Sequence, residues 1–118
     1  MVWILLCKYI GGQMNNCMFT GYLYHDPEVE IDEDSGAEYC EFTLYIYEYF
    51  RNKRGEKKRH STYLRFKAWD SGARTIAKLG KSDMKMTINA SARNSYTEDD
   101  TGIIFRVNQF DFGCLDKD

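Results

Sequence analysis

The sequence predicts a small all-β domain: a barrel of five strands, with one short helix between the third and the fourth. Five separate runs alternate apolar and polar residues with period two, and a single run has the three-and-four spacing of a helix. Turn residues (Asp-Pro, Ser-Gly, Arg-Gly, Thr-Gly) punctuate the runs. At 118 residues the chain can bury one core but not two.

Residues 1–13 are set apart as an N-terminal extension. Met1 to Ile10 is apolar except for Lys8, and Gly11-Gly12-Gln13 breaks the run. It is too short to cross a bilayer, and it lacks the cationic start and small-residue cleavage site of a signal peptide. Asn16–Tyr24 reads as the first strand, with Cys17, Phe19, Gly21 and Leu23 on one face. Gly21 in its middle marks a bend or a close approach of two backbones. Asp26-Pro27-Glu28 ends that strand, and Val29–Gly36 follows as an acidic loop or ribbon. Its Asp32-Glu33-Asp34 run lacks the His partners or Gly spacing of a metal loop and reads as a solvated turn.

Glu38–Phe50 is a long second strand. Cys40, Phe42, Leu44 and Ile46 face inward, against Tyr39, Glu41, Thr43, Tyr45, Tyr47 and Tyr49. A strand of this length must coil and serve two parts of a sheet, as small closed barrels demand. Arg51–His60 is a basic loop turning at Gly55, the tip of a hairpin. The third strand, Ser61–Trp69, places Leu64, Phe66 and Ala68 inward and Tyr63, Arg65, Lys67 and Trp69 outward. Asp70–Gly80 is the helix, with Ala73, Ile76, Ala77 and Leu79 on one face, Asp70 or Ser71 as cap and Gly80 as its stop. Met84, Met86, Ile88, Ala90 and Ala92 define the fourth strand, with Tyr96 just beyond and a hairpin turn at Glu98–Gly102. Ile103, Phe105 and Val107 begin the fifth. Phe110 and Phe112 have the opposite parity, which requires a bulge near Asn108–Gln109. Residues 14–113 form the domain, and 114–118 a short tail. This order of elements matches the five-stranded Greek-key barrel known as the OB-fold.

The net charge of −2 conceals a division. Residues 1–50 carry Lys8 alone against nine acids, whereas residues 51–93 carry thirteen Lys or Arg against Glu56, Asp70 and Asp83. Local potential governs where a polyanion docks, so nucleic acid is allowed on one part of the surface. The cysteines Cys7, Cys17, Cys40 and Cys114 show no C-x-x-C spacing, which points to reduced thiols and against zinc or a disulfide framework. His25 and His60 have no nucleophile at a meaningful spacing, and no cofactor motif is present.

The third strand carries the functional signal. Its outer face has aromatics at both ends and two cations between, a pattern that suits unpaired nucleic acid: rings stack on bases and cations meet phosphates. A core strand with snorkelling cations would share the same pattern.

Gly21-Tyr22-Leu23, Asp26-Pro27-Glu28, Phe42-Thr43-Leu44, Gly55-Glu56, Thr62-Tyr63-Leu64-Arg65-Phe66 and Leu79-Gly80-Lys81 occur in an order that resembles the bacterial-type single-stranded DNA-binding proteins, over residues 15–112. The resemblance implies base stacking at Phe50, Tyr63, Trp69 and Tyr96. It implies phosphate contacts from Arg51, Lys53, Arg54, Lys57, Lys58, Arg59, Arg65, Lys67 and Arg93. It further implies a non-catalytic, metal-free binder that coats and protects single-stranded DNA in replication, recombination and repair. Such proteins assemble as homotetramers or dimers in a bacterial cytoplasm or nucleoid, or in a phage-infected cell, and not on a membrane. Asn89-Ala90 departs from the family's acidic-glycine pair. The family's long tail with an acidic, Pro-Phe-ending tip is not found after Cys114-Leu115-Asp116-Lys117-Asp118, so recruitment of replication and repair proteins through such a tip is not implied; short, tailless relatives include phage-encoded ones. Two other OB modules share these features: a primosome-type protein-interaction domain with weak DNA binding, and an RNA binder.

Overall fold

In the computed structural model the described residues are 13–96 and 101–113, apart from the side chains of Tyr96 and Thr101. Their elements are β1 (Cys17–Leu23), β2 (Val29–Ile31), β3 (Glu38–Arg51), β4 (Lys57–Trp69), α1 (Asp70–Leu79), β5 (Lys85–Tyr96) and β6 (Thr101–Phe112). The sheet order is β1-β5-β6-β4-β3-β2, and a β1–β3 pairing closes the first five of these into a barrel. All ladders are antiparallel except β4–β6. This is the expected all-β OB-fold barrel with one helix.

The short β2 is an addition to the five expected strands. Val29, Glu30 and Ile31 pair with Cys40, Tyr39 and Glu38 along the edge of β3, so the acidic segment is a ribbon before it is a turn. Barrel closure depends on Gly21. A Cβ there would stand 2.7 Å from Ile46 Cγ1 and 2.8 Å from the Tyr45 carbonyl oxygen, so β1 can cross β3 this closely only without a side chain. Past the crossing, residues 47–51 pair only with 57–61, and β3–β4 leaves the barrel as a two-stranded ribbon. The expected bulge is present: Asn89 pairs with Gln109 and Ala90 with Val107, leaving Asn108 as the extra residue.

The core follows from the alternation. Leu23, Cys40, Phe42, Leu44, Phe66, Ala68, Met86, Ile88 and Ala90 are buried inside the barrel, each fully buried large side chain contributing about 1.5–3 kcal/mol. Phe66 stacks on Phe42 with ring centroids 5.5 Å apart, and Phe19 meets Phe105 edge-on at 4.9 Å. Cys17 is half-buried at the barrel end, while Cys40 is fully enclosed, and burial pushes its thiol up to about 11.

A helix of ten residues is marginal by itself, and α1 gains stability by burying Ala73 and Ile76 against the barrel. Three details of the sequence reading are corrected here. The helix N-cap is Trp69 in extended conformation, without a side-chain cap from Asp70 or Ser71. Asp70 instead takes a positive φ of 54°, as the chain turns sharply from β4 into the helix. Leu79 is exposed, because it falls beside the buried stripe of Ala73, Ile76 and Gly80. Gly80 does end the helix, but in extended rather than left-handed conformation: its φ of −78° suits any residue, and glycine is required because a Cβ would stand 2.7 Å from the Ile76 carbonyl oxygen and 3.0 Å from Leu23 and Pro27.

These two kinds of glycine predict opposite outcomes. Gly21→Ala should destabilise the fold by about 1–3 kcal/mol through overpacking at the closure. Gly72→Ala, inside α1 with its nearest neighbour 3.9 Å from the added Cβ, should stabilise it by about 0.4–1 kcal/mol. Urea unfolding of the two variants checks both signs.

Candidate nucleic-acid interface

The ladder from Tyr39–Trp69 to Arg51–Lys57 sets the composition of the barrel's outer face. Direct cross-strand partners share a face, so Tyr39 stands beside Trp69, Glu41 beside Lys67, Thr43 beside Arg65, Tyr45 beside Tyr63 and Tyr49 beside Arg59. Rings and cations brought near each other in this way form two clusters.

The first cluster is tyrosine. Tyr22 and Tyr47 stack with centroids 5.8 Å apart, Tyr45 and Tyr47 at 6.2 Å, and Tyr24 meets Tyr63 edge-on at 5.5 Å. Cations sit on these rings: Arg59 lies 5.1 Å from the Tyr47 centroid and the Lys57 ammonium 4.4 Å from that of Tyr49. Tyr24, Tyr45, Tyr47, Arg59, Ser61, Tyr63, Ser82 and Asp83 line a cleft of about 350 Å³. On its floor the Tyr45 hydroxyl donates to Asp83 Oδ1 at 2.8 Å. That hydrogen bond to the carboxylate, with some burial, pushes the Tyr45 phenol up to about 12. The Tyr47 phenol is also raised, chiefly by the neighbouring Tyr22.

The second cluster lies at the other end of the face. Lys67 is shared by two adjacent rings, its ammonium 4.4 Å from the Tyr39 centroid and 4.7 Å from that of Trp69. Trp69 and Tyr39 are tilted against each other at 5.6 Å. Trp69 and Lys67, with Arg93, Asn94, Ile104 and Arg106, line a second cleft of about 480 Å³. The acidic ribbon borders this end. Burial raises the Tyr39 phenol, helped by Glu30, Glu41, Asp32 and Glu33, and the Ser35 hydroxyl, donating at 2.7 Å, lowers the Asp32 carboxyl.

Tyr63, Trp69, Lys57, Arg59, Lys67 and Arg93 therefore fall within these clusters, and Arg65 lies between them on the same face. Arg51 shares the parity of this face, and its guanidinium donates to the Gly55 carbonyl at 2.8 Å, bracing the turn. Lys53 and Arg54 are exposed in that turn, where Asn52 Oδ1 accepts from the Arg54 and Glu56 amides, both at 2.9 Å. Phe50 and Lys58 are direct partners of the other parity and stand on the reverse side of the ribbon, with Phe50 half exposed. Tyr96 ends β5 opposite Thr101; its side chain, like the turn at residues 97–100, lies outside the described residues. Residues that the sequence reading did not single out for the site are Tyr22, Tyr24, Tyr39, Tyr45, Tyr47, Tyr49 and Arg106. Tyr39, Tyr45, Tyr47 and Tyr49 carried a usable signal, since they share the parity of Tyr63 and Trp69 across one hairpin.

Among the described residues no group of three His, Cys, Asp or Glu side chains could hold a metal, and no helix is long and apolar enough to cross a membrane. The single-strand binding protein family model matches residues 14–110. The chain belongs to this family. It is a family of non-enzymatic DNA-binding proteins. A comparison with curated protein sequences finds no match. Among solved structures, the Plasmodium falciparum SSB in complex with ssDNA is similar at 22% identity and a TM-score of 0.67, covering 88% of this chain and 96% of that one. Wild-type Thermus aquaticus single-stranded DNA binding protein gives 15% identity and a TM-score of 0.73. A deletion mutant of the Thermus protein gives 14% and 0.72. The chain spans about half the length of the Thermus proteins, 52% in each case. At these identities the likeness establishes the shared barrel.

The Tyr45–Asp83 bond predicts a pH signature. A phenol raised in the folded state adds stability that is fully present below the unfolded value of about 10 and is lost as pH rises through about 12. Tyr45→Phe should therefore flatten the fall in stability between pH 10 and 12. Denaturant midpoints measured across that window check it.

Proposed function

We propose that this domain coats single-stranded DNA along the outer face of β3 and β4, with little sequence preference across most of the track. The observation that carries the reading is the interleaving of rings and cations: Lys67 over Tyr39 and Trp69, and Arg59 over Tyr47. A base can stack on an exposed ring while the adjacent cation, drawn only weakly to that ring, turns to the phosphate. Tyr63 and Trp69 are the central platforms, Lys57, Arg59, Arg65, Lys67 and Arg93 the phosphate partners, and Arg51, Lys53 and Arg54 extend the positive track along the ribbon. Phe50 and Lys58 on its reverse side would serve a strand that wraps around the ribbon, with Tyr96 as a fourth platform.

The cellular role we infer is protection of unpaired DNA during replication, recombination and repair, without catalysis. Self-association into a dimer or tetramer would join several such faces into one longer track. Exposed apolar side chains on the far side of the barrel, such as Met18 on β1, are compatible with contacts between copies.

Trp69→Ala and Tyr63→Ala should each weaken oligo-dT binding by about 1–3 kcal/mol while leaving the free energy of unfolding in urea within about 1 kcal/mol of the parent. Fluorescence anisotropy of a labelled oligo-dT, with oligo-U as competitor, measures this. A variant that melts, with unchanged affinity per folded molecule, would show the ring to be core instead. Charge reversal at Lys57 and Arg59 should lower the salt slope by about 0.7 per lost phosphate contact.

A further inference from the structure

Most of the interface has no means of telling bases apart, since every base has a stackable face. The tyrosine cleft is different because a carboxylate stands in it. Asp83 occupies the tight turn before β5 with φ +70°, a left-handed conformation uncommon outside glycine and best tolerated by Asn and Asp. Its amide donates to the Leu23 carbonyl at 2.8 Å, and the next residue's amide to the Lys81 carbonyl at 3.1 Å, so the turn is fixed to the end of β1. The side chain lines the cleft together with Tyr24, Tyr45, Tyr47, Tyr63 and Arg59.

A negative group at this place opposes any phosphate, so what it faces in a bound strand must be a hydrogen-bond donor. Tyr45 takes one acceptor position on Oδ1, and a carboxylate offers about four. The remaining positions suit a donor pair side by side on a flat ring. Among the DNA bases only guanine presents that pair on its Watson–Crick edge, N1–H beside the N2 amine. Adenine and cytosine set one amine beside an acceptor nitrogen, and thymine sets N3–H between two carbonyls; both arrangements put lone pairs against the carboxylate.

We propose that the tyrosine cleft is a guanine-preferring base pocket, in which Asp83 reads the base edge, the base rests on the exposed rings of Tyr24 and Tyr63, and Arg59 takes a flanking phosphate. This rests on the reading that single-stranded DNA lies on this face, and it turns a uniformly tolerant track into one with a single selective position. Asp83 is a specificity residue and supplies little of the total affinity.

The test uses the full chain and oligo-dT of fixed length carrying one central dG, dA, dC or deoxyinosine. The dG oligonucleotide should bind about 5- to 20-fold more tightly than plain oligo-dT, within the range for a good bidentate base contact. Deoxyinosine, which lacks the N2 amine, should fall between, and dA and dC should gain nothing. Asp83→Asn keeps the turn conformation and should abolish the dG advantage, read as the ratio of dG to plain oligo-dT affinity within that variant. Tyr45→Phe removes the phenolic hydroxyl and should retain the dG advantage. Equal binding of all four oligonucleotides, or a dG advantage that survives Asp83→Asn, overturns the pocket and leaves the stacking track standing. Absence of oligo-dT binding altogether overturns both.

Discussion

The β3–β4 ladder is the constraint on which the rest of the molecule depends. One register, running from Tyr39–Trp69 to Arg51–Lys57, places Phe42 on Phe66 inside the barrel and Tyr45 beside Tyr63 outside it. A slip of one residue in either strand would exchange these sets, exposing the phenylalanines and burying arginine and lysine. Core energetics therefore hold the binding face in place: the hydrophobic side keeps the register, and the register aligns the rings and cations. Gly21 completes the arrangement by letting β1 cross β3 closely enough to close the barrel, and this closure also brings Tyr22 alongside Tyr45 and Tyr47.

The charge distribution makes sense on the same frame. Most acids of the first half gather around the β2–β3 edge, and eight of the thirteen cations of residues 51–93 lie on β4 and the ribbon, the other five on α1, the turn after it and β5. An overall charge of −2 is thus compatible with a cationic stripe bordered by an anionic edge. Exposed tyrosines supply ring area with a polar rim, so the face can remain wet when empty and still stack when occupied.

Much of this was legible in the sequence because β-strands write their faces in strict alternation. Cys40, Phe42 and Leu44, then Leu64, Phe66 and Ala68, named the core, and the parity break after Val107 located the bulge. The helix details were not legible, because they depend on packing: Leu79 has a helical spacing from Ile76 but falls beside the buried stripe, and Gly80 is needed for a contact with residues far away in sequence. Parity already set Tyr49 and Phe50 on opposite sides; Phe50 entered the site through the resemblance, and the ladder places it with Lys58 on the reverse side of the ribbon. The Tyr45–Asp83 bond joins residues 38 positions apart, and no local pattern announces it.

The most direct test of where DNA lies is a backbone amide map by heteronuclear NMR with saturating oligo-dT. The largest shifts should fall on residues of the outer face, Tyr45, Tyr47, Arg59, Ser61, Tyr63, Lys67 and Trp69, and continue into Arg93 and Arg106. Shifts centred instead on Met18, Thr87, Asn89 and Asp111, on the far side of the barrel, would contradict the account.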